Sequence, residues 1–163
     1  MAKVRVSRLR PGLIAMLLLA LLQVLAPVAQ ASEPTEYELV YATAHAQLGD
    51  QWKFRARGPN SFDCSGLVWY AFRQNELHDR IGGYRSVAGY FKWFKSRGLV
   101  SRTNPRLGDL VVWGRNQHIG IYIGDGMAIS TLVTKRGVAI HPVKGYLGMR
   151  FKAYLHTTLT RPA

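Results

Sequence analysis

The hydrophobic period of this chain changes once, near residue 105, and that change limits the fold more than any single motif. Before it, apolar residues recur at helical spacing: Leu67, Val68, Ala71 and Phe72, then Val87, Tyr90, Phe91 and Phe94. After it they alternate. In His118-Ile119-Gly120-Ile121-Tyr122-Ile123 the three isoleucines share one face, and His118, Gly120 and Tyr122 share the other. Leu110-Val111-Val112-Trp113 is a short apolar strand before this run, and Gly124-Asp125-Gly126 is a hairpin turn after it. Residues 127–133 form the return strand, 134–137 a turn, 138–142 a third strand and 150–158 a last one. Helices first and an antiparallel meander second predict an α+β fold.

The first 31 residues lie outside that pattern. Lys3, Arg5, Arg8 and Arg10 form a basic head, residues 13–26 an apolar stretch, and Ala29-Gln30-Ala31 a small-x-small cleavage site. This is the make-up of a secretory signal peptide cut after Ala31, and the apolar stretch is short for a membrane span. Residues 32–163 are expected to form one domain, secreted to the periplasm, cell wall or medium, with no stable membrane insertion. The signal peptide takes four of the 22 Lys and Arg, leaving 18 against 9 acidic residues, or about +9. Such a surface suits polyanions, and export tells against nucleic acid and toward anionic cell-wall polymers. The cations are scattered along the sequence, which fits a merely soluble basic surface equally.

Thr35-Glu36-Tyr37-Glu38 is a capping box that opens a helix predicted to run to Leu48. Residues 50–62 have no clean period. They carry Trp52 and Phe54, which either pack under a loop or wall a site, because the loop leads straight to the only cysteine. That cysteine, Cys64, follows Asp63, and Ser65-Gly66 and an apolar run come after it. Asp63 reads as an N-cap and Cys64 as the first residue of a buried helix ending near Gln74. A thiol at a helix N-terminus feels the positive end of the dipole, which favours the nucleophilic thiolate. A lone thiol in an exported domain makes no internal disulfide. It works, pairs between chains, or is buried and inert.

A thiolate mechanism needs a base, and of five histidines His118 has the best context, at the head of a strand beside Gly120. The alternative is a solvated strand-end histidine. His45 and His78 read as structural or surface residues. The hairpin register puts Ser130 on the His118 face, and a four-residue turn at 134–137 sets His141 opposite Ser130. His118, Ser130 and His141 would then form one row across three strands, with His141 about 10 Å from His118.

Three blocks, Phe62-Asp63-Cys64-Ser65-Gly66-Leu67-Val68, Gly108-Asp109-Leu110-Val111-Val112-Trp113 and His118-Ile119-Gly120-Ile121-Tyr122-Ile123-Gly124, resemble the NlpC family of secreted cell-wall cysteine peptidases in order and spacing. The resemblance implies a papain-like fold with Cys64 as nucleophile at a helix N-terminus and His118 as general base, then acid. It implies a peptidoglycan endopeptidase: hydrolysis of a stem-peptide amide through an acyl-enzyme, often between D-Glu and the diamino acid, with no cofactor and no metal. The chain is expected to be a monomer. The Cys64 amide would stabilise the oxyanion.

The chain departs from the family twice. The third polar residue, twelve after the base, is usually His and here is Ser130, an acceptor without charge. Either Ser130 orients His118, or a water links His118 toward His141, or activity is low. Twelve before the nucleophile a Tyr is common, and here it is Trp52. Trp52, Asp63 and Ser65 are the expected substrate-binding residues. Two other readings stand beside the hydrolase. One is a wall-binding domain of the same fold with decayed catalysis, and the other an amidase or acyltransferase on a non-wall substrate.

Overall fold

A computed structural model of the chain describes residues 32–133, 136–145 and 148–162. The signal peptide expected over 1–31 lies outside the described residues. Helix α1, Glu36–His45, starts at Thr35 with both halves of the capping box formed. It stops three residues short of expectation, at the Ala46 cap. The irregular stretch after it holds two very short strands, β1 (Gln51–Trp52) and β2 (Ser61–Phe62), paired in parallel. Helix α2, Cys64–Arg73, follows directly. A 3₁₀ turn spans His78–Ile81, and α3, Val87–Lys95, is capped by the Ser86 hydroxyl.

The second half is one six-stranded antiparallel sheet: β3 (Val100–Ser101), β4 (Leu110–Trp113), β5 (His118–Gly124), β6 (Met127–Leu132), β7 (Gly137–Pro142) and β8 (Phe151–Leu155). Its spatial order is β3-β8-β4-β5-β6-β7. The expected meander covers β4 to β7 only. The last strand returns to the far side of β4 and is itself flanked by β3.

Buried Asp109 fixes that return. Its carboxylate accepts hydrogen bonds from Arg106 N, Thr157 N, His156 Nδ1 and Arg161 Nη2 at 2.6–3.2 Å. It thus ties the turn before β4 to the chain after β8. A buried carboxylate needs that many donors to offset its desolvation. The Gly-Asp of the second sequence block is therefore structural.

Helix α2 packs its apolar face on β5 and β6. Leu67, Val68, Ala71 and Phe72 are fully buried with Ile119, Ile121 and Ile129, and the larger of them contribute about 1.5–3 kcal/mol each. Gly66 lets the loop between β1 and β2 pass close to the head of the helix. A Cβ there would lie 2.0 Å from the Ala56 carbonyl oxygen. The opposite face of the sheet carries a second apolar cluster of Val111, Trp113, Tyr122, Ala128, Val143 and Tyr154. His118 is therefore no solvated strand-end residue: it is 7 % exposed.

Candidate active site

The site is built where α2 begins and β5 begins. Asp63 has extended backbone angles, and its Oδ1 accepts from Gly66 N at 2.6 Å and from the Ser65 hydroxyl at 2.8 Å. That cap starts the helix at Cys64, whose thiol is free. Cys64 and His118 line one cleft of about 500 Å³. Trp52, Asp63 and Ser65 line it too, together with Phe54, Arg55, Tyr84, Asn116, Gln117 and Val133. Phe54 and Val133 are 68 % and 74 % exposed, so the rim of the cleft carries two apolar side chains beside the exposed Arg55 and Gln117.

Behind His118 lies a continuous chain of hydrogen bonds. His118 Nε2 is 2.8 Å from Ser130 Oγ, Ser130 Oγ is 2.6 Å from His141 Nε2, and His141 Nδ1 is 3.0 Å from the Pro142 carbonyl oxygen. Ser130 is fully buried and His141 nearly so. The row is staggered rather than straight. Ser130 pairs with Ala139 and His141 with Ala128, and continuing the Ile121–Ile129 pairing sets Ser130 beside Gly120. Each contact is thus a diagonal across neighbouring strands, which long side chains can span. The expectation that His141 sits directly opposite Ser130 is corrected by that two-residue offset. The expected alternative of a linking water is replaced by the serine itself, which bonds both imidazoles.

The chemistry of the partners sets the direction of these bonds. A carbonyl only accepts, so the His141 nitrogen facing Pro142 carries the proton. Burial lowers the pKa of His141, so the ring is neutral and its Nε2 accepts from the Ser130 hydroxyl. The Ser130 oxygen then accepts from His118 Nε2–H. That leaves His118 Nδ1 without a proton, as a base requires. Trp113 stacks beside both rings, at 5.4 Å from His118 and 5.6 Å from His141, and its indole N–H is held by the Val143 carbonyl. Gly120 gives the row its room. A Cβ there would lie 2.7 Å from Ile129 O and 2.9 Å from Ser130 Cβ.

The electrostatics differ from the sequence-based expectation of a ready thiolate. Burial, and then the Asp63 carboxylate, push the Cys64 thiol up, against amides of Ile119, Ser65 and Cys64 that pull it down. Burial, helped by His141, holds His118 down at about 4. At neutral pH the resting pair is therefore thiol and neutral imidazole. Moving the thiol proton to the imidazole makes both charges together, and each then offsets the other.

Sequence reasoning missed three contributors: the Pro142 carbonyl, Trp113 as a wall and Gly120 as a spacer. The last two stood in the quoted blocks. The carbonyl had no sequence signal. Among the described residues no group of three or more His, Cys, Asp or Glu is placed to hold a metal ion, and no helix is long and apolar enough to cross a membrane.

A papain-like arrangement is thus in place: a cysteine heading a helix that packs on an antiparallel sheet, and a histidine on that sheet facing the same cleft. Residues 49–156 match the model of the NlpC/P60 family, and the chain belongs to that family. It is 34 % identical over 117 residues to the probable endopeptidase p60 of Listeria grayi, covering 70 % of this chain and 21 % of the relative. It is 32 % identical over 102 residues to the probable peptidoglycan endopeptidase LytE of Bacillus subtilis, covering 55 % and 28 %. The chain thus spans a fifth to just over a quarter of these two relatives. Among solved structures it is similar to the NlpC/p60 domain of the peptidoglycan hydrolase SagA, with a TM-score of 0.59 at 23 % identity, covering 74 % of this chain and 98 % of that one. It also resembles NlpC2 from Trichomonas vaginalis, with a TM-score of 0.64 at 19 % identity, covering 81 % and 49 %. The expected fold is borne out.

Proposed function

We propose that the chain is a cysteine endopeptidase that hydrolyses an amide bond in peptidoglycan stem peptides, the bond between D-Glu and the diamino acid. It acts outside the cell as a monomer after loss of residues 1–31, and its basic surface keeps it near anionic wall polymers. The observation that carries the reading is the pairing of Cys64 and His118 on one cleft, with His118 held from behind in the tautomer that a base needs. The name of the Bacillus relative supports the substrate class, and that of the Listeria relative the endopeptidase activity.

In this mechanism His118 Nδ1 takes the Cys64 proton as Sγ attacks the carbonyl carbon. The carbonyl electron pair moves to oxygen, and the Cys64 amide N–H stabilises that oxyanion. The imidazolium then protonates the leaving nitrogen as the C–N bond breaks, which leaves a thioester. Water, deprotonated by His118, attacks the thioester, and the C–S bond breaks to return the thiol. Ser130 is the orienting residue, and His141 acts through it. Trp52, Asp63 and Ser65 line the bound peptide.

Digestion of purified peptidoglycan by residues 32–163, beside Cys64→Ala, tests the proposal. New peptide fragments by mass spectrometry, from the unmodified protein alone, are expected. A second reading, a wall-binding domain with weak catalysis, draws on the neutral Ser130, which gives the imidazolium no countercharge. Wall binding without fragments, across several wall types, would favour it.

A further inference from the structure

The cations that are scattered in sequence converge in space. A groove of about 790 Å³ is lined by Arg102, Arg115, Arg150 and Lys152 around the Phe151 ring. A smaller hollow that shares Arg150 and Phe151 with it is lined by Lys144. Arg102 and Lys144 lie 5.7 and 5.9 Å from the centre of Phe151, so that ring is the floor on which two cations rest. Lys152 Nζ donates to Asn116 Oδ1 at 2.7 Å. Among the described residues none of these five cations has an ion pair. No acidic residue lines the groove, and none occurs in the sequence from 110 to 124 or from 126 to 163. Like charges lining one groove without a carboxylate repel one another, and an anionic ligand would relieve that repulsion.

The position of the groove says which anion. The turn over residues 114–117 separates it from the catalytic cleft, and Gln117 lines both. A peptide whose amide lies at Cys64 has only this turn to cross to reach the arginines. We infer that the groove binds free carboxylates of the same peptide substrate, on the strand beyond the scissile bond. It is thus a specificity site for acidic peptides. The inference rests on the hydrolase reading for the identity of the peptide, but not for the existence of the anion site. Guanidinium groups at Arg102, Arg115 and Arg150 suit carboxylates through paired N–H donors.

The test compares a synthetic stem peptide carrying free carboxylates with its fully amidated twin. Arg115→Gln/Arg150→Gln should raise KM for the acidic peptide about three- to tenfold, the range for two exposed charge contacts, with kcat unchanged. KM for the amidated twin should not move. Arg73→Gln/Lys95→Gln, which removes equal charge outside the groove, should leave both unchanged. An unchanged KM for the acidic peptide, or an equal rise with the control variant, overturns the inference. Binding is also measured in the Cys64→Ala background, so that absence of turnover sinks only the hydrolase reading. If the groove variant loses binding to inorganic polyphosphate while acidic-peptide binding is unchanged, the groove serves a separate polymer and the inference falls.

Discussion

Replacing His141 by Ala should lower kcat without touching the cleft. His141 is not among the residues lining the cleft, and its hydrogen-bonded path to His118 runs through Ser130. With the ring gone, the Ser130 hydroxyl loses its acceptor and turns its proton toward His118 Nε2. The imidazole then has to carry its proton on Nδ1, where it cannot accept one from Cys64. The tautomer is held by one buried hydrogen bond, worth about 1–3 kcal/mol when its loss leaves a partner unsatisfied. That corresponds to a fall in kcat of roughly 5- to 150-fold, with KM nearly unchanged. Losing His141 also removes a neighbour that helps hold His118 low, so the acid limb of the kcat/KM profile, which reports the free enzyme, should move up from about 4. His141→Gln, whose carbonyl oxygen can accept the Ser130 proton, should recover part of the rate. Steady-state kinetics across pH, with thermal unfolding as a check on the fold, decide the matter. A folded His141→Ala protein with kcat within about twofold of the unmodified enzyme would refute the relay.

Three further outcomes are expected. His118 has an ordinary pKa of 6.5 when unfolded and about 4 when folded. The folded state therefore resists its proton, and the stability this brings is complete above pH 6.5 and lost as pH falls toward 4. The loss is about 3 kcal/mol, and urea unfolding at pH 7 and pH 4 should show it shrinking in His118→Gln; identical pH dependence of the two proteins would contradict it. Asp63→Asn keeps a cap but removes the carboxylate that raises the thiol, so alkylation of Cys64 near neutral pH should speed up; an unchanged alkylation rate would count against that electrostatic role. Gly66→Ala drives a Cβ into the Ala56 carbonyl and should destabilise the protein by about 1–3 kcal/mol in thermal or urea unfolding, whereas a variant as stable as the parent would show that the loop yields.

Much of the architecture was legible because it is local. The capping box, the Asp63 cap, the apolar face of α2 and the alternation of β5 depend on residues a few positions apart, and periodicity reports them directly. The same logic put Cys64 at a helix head and His118, Ser130 and His141 on one sheet face. The register of that row was not legible, because a two-residue stagger depends on turn geometry and sheet twist. The position of β8 was hidden for a related reason. Asp109, Arg161 and His156 find one another across about 50 positions of sequence, and no pattern announces such a pair.

Residue type and local period thus determined by themselves which side chains could do chemistry and on which elements they ride. Only the tertiary structure decided how they act. Burial from both sheet faces makes the resting pair neutral, the Pro142 carbonyl sets a tautomer two side chains away, and scattered cations meet in one groove. Each of these depends on dielectric or on contact between distant segments, and neither is a property of sequence neighbours.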